Sequence, residues 1–63
     1  MNKINILIAD DHSMVRQGLK QILELEKDIA VIAQASNGEE AVELARLHKP
    51  DIILMDINMP GMN

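Results

Sequence analysis

Ile4-Asn5-Ile6-Leu7-Ile8-Ala9-Asp10-Asp11-His12 opens on six residues that are apolar but for Asn5, then turns abruptly to two carboxylates and an imidazole. An apolar run this short and this continuous reads as a strand covered on both faces rather than one with a wet side. Ile29 to Ala33 and Ile52 to Met55 repeat the pattern farther along. The three runs predict strands over residues 3–9, 29–35 and 52–56.

Helical spacing fills the gaps between them. Val15, Leu19, Ile22 and Leu23 form one apolar stripe, with Arg16, Lys20, Glu24 and Lys27 elsewhere on the surface. A helix is expected over 13–27, with Ser13 as its N-cap. Gly18 interrupts that helix, and close packing on the sheet would explain it. Ala41, Leu44, Ala45 and His48 share a second stripe with Val42 beside it, predicting a helix over 37–48. Two capping boxes compete for its start, Ser36 with Glu39 and Asn37 with Glu40. Arg46, His48 and Lys49 suit the negative end of its dipole, and Pro50 stops it. Residues 58–63, with Pro60 and Gly61, read as a loop.

Strand, helix, strand, helix, strand is an α/β order, with parallel strands joined by right-handed crossovers. Sixty-three residues hold one small domain at most, and a chain of this size buries only about 60% of its unfolded surface. Hydrophobic content is 48%, yet Phe, Trp and Tyr are absent, so the core is aliphatic. With no cysteine there is neither a disulfide nor a thiolate metal site. A net charge of −4 gives no basic footprint for nucleic acid, and no apolar run approaches a membrane span. The three glycines are too dispersed for a phosphate loop.

Asp10 and Asp11 follow the first strand, and Asp56 follows the third. With strand order 2-1-3 these strands are neighbours, and their acids converge outside the carboxyl ends where such sheets bind ligands. Three close carboxylates raise one another's pKa unless a cation sits among them, and an all-oxygen donor set suits Mg²⁺. Taken singly, each acid is equally well read as a helix cap or a solvated turn. His12 is read as starting the first helix beside the acid pair, and His48 as a surface residue at a helix end.

Ile8-Ala9-Asp10-Asp11-His12 resembles the acidic-pocket motif of response-regulator receiver domains. Residues 50–63, Pro50 through Met55-Asp56-Ile57-Asn58-Met59-Pro60-Gly61-Met62-Asn63, resemble their phosphorylation-site motif. Asn37-Gly38-Glu39-Glu40-Ala41 resembles the start of the family's second helix. Asp-Asp-His and Val15-Arg16-Gln17-Gly18-Leu19 resemble the NarL-type members, which carry a C-terminal helix-turn-helix DNA-binding domain. The resemblance implies a truncated flavodoxin-like receiver fold spanning the N-terminal half of the domain. It implies Asp56 as phosphoacceptor, served by a sensor histidine kinase. It implies Mg²⁺ held by Asp10, Asp11, Asp56 and the Asn58 backbone carbonyl. A cytoplasmic, non-enzymatic transcriptional regulator follows, with DNA bound only through a domain beyond this chain.

A full receiver domain has a Ser or Thr after its fourth strand and a Lys after its fifth, both lying beyond this sequence. A chain ending here is expected not to switch, and to self-associate through the exposed third-strand edge. A phosphatase of the haloacid dehalogenase type also uses a strand-end Asp with Mg²⁺. That family expects a second Asp two residues later, where this chain has Asn58. A third reading keeps only the self-association, with no chemistry.

Overall fold

The computed structural model describes residues 3–55. Strand β1 spans Ile4–Ala9, helix α1 Ser13–Leu23, strand β2 Ile29–Ala35, helix α2 Gly38–His48 and strand β3 Ile52–Met55. The strands form one parallel sheet in the order β2-β1-β3. Over these residues this is the strand order expected of a truncated flavodoxin-like fold.

β1 lies in the middle, and Ile6, Leu7, Ile8 and Ala9 are all buried. Its side chains alternate between two faces. Leu7 and Ala9 join Ala35 and Ala41 in the core, with Leu44 and Ala45 of α2 packed against them. On the opposite face Ile8 stands beside Leu54 in register, and Leu19 of α1 shares a cleft with Leu54. One helix thus covers each face.

β2 contains an irregularity that apolar patterning does not reveal. Ile6 pairs with Val31 but Leu7 pairs with Ala33, leaving Ile32 as an extra residue. Such a bulge moves the following residues to the other face. Ala33 and Ala35 therefore stand beside Leu7 and Ala9, where their small size lets α2 approach closely.

α1 ends at Leu23, four residues short of the expected 27, because Leu25 and Glu26 donate in three-residue turns to Ile22 and Leu23. Ser13 is not its N-cap. His12 occupies that position without a side-chain cap, and Ser13 is the first helical residue. Close packing does not explain Gly18 either, since a Cβ there would meet nothing within 4 Å.

At α2 the later capping register prevails. Asn37 Oδ1 accepts from the Glu40 N–H at 2.8 Å. Glu40 Oε1 in turn accepts from the N–H of Ser36 at 2.6 Å and from its hydroxyl at 3.1 Å. Helix α2 closes on Lys49 in the left-handed region, at φ 50°.

β3 is clamped where it starts. The Asn5 N–H donates to Asp51 Oδ2 at 2.7 Å, and the Asp51 N–H donates to the Asn5 carbonyl at 2.8 Å.

Candidate functional site: the acid pair beyond the central strand

β1 delivers Asp10 and Asp11 to the carboxyl end of the sheet. Asp10 is 7% exposed, the only buried charged residue among those described. Its N–H donates to the Ala35 carbonyl at 3.0 Å, carrying the β1–β2 ladder one residue past the strand. Asp11 lies farther out, in solvent.

His12 turns back over both acids. Its Nδ1 lies 3.1 Å from Asp10 Oδ1 and 2.9 Å from Asp11 Oδ1. Carboxylate oxygens only accept, so Nδ1 carries the proton in this contact. The His12 N–H also donates to Asp10 Oδ1, at 2.9 Å. That backbone bond is the main reason the Asp10 carboxyl sits below the usual carboxylate range; desolvation opposes it and the His12 ring reinforces it. Asp10 is thus held ionised despite its burial.

Ligand atoms of Asp10, Asp11 and His12 all lie within 4.8 Å of one another. The two carboxylates, one buried and one exposed, suit a hard cation entering from solvent. His12 Nδ1 already supplies a donor proton between them, as expected where negative charge is concentrated. Beside the pair, Ala9, Asp10, Leu19, Leu54 and Met55 line an open cleft of about 220 Å³ between α1 and the sheet.

The other predicted ligands, Asp56 and Asn58, follow β3 in the sequence. Ala9 pairs with Met55, and the residues next in sequence are Asp10 and Asp56. Asp56 and Asn58, with the expected loop over 58–63, lie outside the described residues.

The sequence reading missed one neighbour of the site. Arg16, placed on the surface by helical pattern, is half-buried, and its Nη1 donates to the Asp10 carbonyl at 2.6 Å. The available signal was position: four residues after His12, a long side chain on α1 returns toward the strand end.

Residues 6–63 match the response regulator receiver domain family. The chain is 55% identical over 58 residues to the nitrate/nitrite response regulator protein NarL of Escherichia coli (strain K12), covering 92% of this chain and 27% of that protein. It is 54% identical over 63 residues to protein-glutamate methylesterase/protein-glutamine glutaminase 2 of Carboxydothermus hydrogenoformans, covering 100% of this chain and 18% of that one. Its fold superposes on the response regulator domain of Thermotoga maritima CheB with a TM-score of 0.93 at 44% identity, covering 98% of this chain and 46% of that one. The chain thus spans about a quarter or less of these curated relatives. No described helix is long and apolar enough to cross a membrane. With the family match extending from β1 through the Asp56 motif, and the fold and strand-end acids in agreement with it, this chain belongs to the response regulator receiver domain family.

Proposed function

We propose that this chain is the phosphoacceptor part of a two-component regulator, with Asp56 receiving a phosphoryl group from a sensor histidine kinase. The observation that carries the reading is the β1–β3 register. Ala9 lies beside Met55, the next residues are Asp10 and Asp56, and Asp10 is buried and ionised. In the transfer, an Asp56 carboxylate oxygen bonds to phosphorus as the bond from phosphorus to the donor's histidine nitrogen breaks. The imidazole leaves with the electron pair, and an aspartyl phosphate remains. Asp10, Asp11, Asp56 and the Asn58 carbonyl are the proposed Mg²⁺ ligands. Bound there, Mg²⁺ supplies charge neutralisation at the phosphoryl oxygens. Asp10 contributes a fixed negative charge, and Asp11 an exposed one that a hydrated cation can reach.

The relatives point to more than one output. The NarL-type resemblance favours transcriptional control through a DNA-binding domain in the cytoplasm. A methylesterase relative is nearly as similar, so this segment is compatible with different outputs. Intact mass after incubation with Mg²⁺ and acetyl phosphate tests the phosphoacceptor reading. One phosphoryl group is expected on the chain and none on Asp56→Asn. Equal gain in both rules out Asp56 as acceptor.

We propose self-association as a second reading. Ile52 and Ile53 are 44% and 42% exposed on β3, which among the described residues pairs with β1 alone. Sedimentation should show a dimer or larger species; a monodisperse monomer excludes it.

A further inference from the structure

The backbone of Asp10 is held from two sides. Its N–H is tied to Ala35 of β2, and its carbonyl accepts from the Arg16 guanidinium at 2.6 Å. A charged donor at that distance makes a strong hydrogen bond. The same guanidinium reaches the start of α2 electrostatically. The two Ser36 hydrogen bonds are the main cause of the lowered Glu40 pKa, and the charge of Arg16 adds to them. The Arg16 side chain therefore ties α1 to the end of β1, and its charge adds slightly to what keeps Glu40 ionised in the first turn of α2.

Its point of attachment matters for the acids. The Asp10 carbonyl belongs to the rigid peptide plane that also contains the Asp11 nitrogen. Holding that oxygen sets the direction in which the chain enters Asp11, and so the separation of the two carboxylates. We propose that Arg16 is a positioning residue for the acid pair, holding the Asp10–Asp11 peptide so that both carboxylates face one divalent cation. This rests on the reading that the pair holds Mg²⁺; Arg16 would act through the Asp10 carbonyl and not as a ligand.

Amide NMR of the whole chain tests it by two readouts. The first is hydrogen exchange at the Asp10 N–H without metal. The second is Mg²⁺ titration followed at the Asp11 and His12 amides. Arg16→Met keeps the apolar stem and removes the head. It should speed exchange at Asp10, leave Leu44 and Ala45 of α2 unchanged, and weaken Mg²⁺ binding roughly 10-fold, in the range found when groups that orient metal ligands are removed. Arg16→Lys keeps the charge but not the planar fork and should fall between. If Arg16→Met does not fold, Arg16→Lys decides, and wild-type exchange and affinity in that variant overturn the proposal. Wild-type behaviour in both variants overturns it as well. If the wild-type chain binds no Mg²⁺, the metal reading fails. Asp10 exchange then still decides whether Arg16 orders this peptide, and unchanged exchange overturns that too.

Discussion

The two faces of β1 are covered by helices of the same length but unequal closeness. Toward α2, Leu7, Ala9, Ala35 and Ala41 are sealed from solvent, and the helix start is fixed by Asn37 and Glu40. Toward α1, no helical residue is buried, Ile22 is 65% exposed, and no side chain caps the start. Yet α1 is the more amphipathic of the two. Apolar periodicity reports which way a helix can face; close burial also needs an opposing surface of matching shape. Alanines on both sides supply that surface at α2, helped by the Ile32 bulge that brings Ala33 and Ala35 to it. The acid pair leads into α1, so the looser side carries the candidate chemistry.

Core truncation should separate the faces most. Leu7→Ala should cost about 2–5 kcal/mol by urea denaturation, from lost burial and the cavity left behind. Ile22→Ala should stay within about 0.5 kcal/mol. Equal losses would erase the contrast. Next come the helix starts. Asn37→Ala should cost about 1 kcal/mol, since it strands the Glu40 N–H, whereas Ser13→Ala should change stability by less than about 0.5 kcal/mol. A smaller effect of opposite sign is expected at Gly18→Ala. The added methyl has open space on an α1 that tolerates it, and a gain of about 0.5–1 kcal/mol should appear as a higher melting temperature. A loss there would mean that the α1 side is tighter than described.

The pH response should be the smallest of these effects and has a definite sign. Asp10 and Glu40 are both held below their ordinary values of 3.8 and 4.5. Their stabilisation is complete above those values and is lost as pH falls through the lowered folded ones. The melting temperature should therefore drop on acidification below about pH 4.5, and Glu40→Gln should blunt the upper part of that drop.

Much of the architecture was legible because strands covered on both faces leave continuous aliphatic runs, and the acids after them stand out by contrast. Strand order and the Asp10–Asp11 placement followed from those runs together with the receiver resemblance. The C-terminal end of α1 was not legible, because Glu24 to Lys27 suit a helix in composition while the chain turns there through backbone bonds to Ile22 and Leu23. The bulge at Ile32 was hidden because every residue from Ile29 to Ala33 is apolar, so a one-residue slip leaves the pattern unchanged. Arg16 was missed because helical pattern marks a cation as solvent-facing, whereas its length lets the head return to the Asp10 carbonyl. The capping register at α2 was open between Ser36 and Asn37, and geometry divides the work: Asn37 caps, while Ser36 holds the Glu40 carboxylate.

The central claim is that the acids after β1 and the Asp56 acceptor after β3 form one Mg²⁺-dependent site. The most direct test is the rate of phosphoryl gain from acetyl phosphate across a Mg²⁺ titration, read by intact mass, in wild type beside Asp11→Asn. A Mg²⁺-dependent rate whose midpoint moves to higher Mg²⁺ in Asp11→Asn is predicted. Superimposable curves, or a rate indifferent to Mg²⁺, would contradict it.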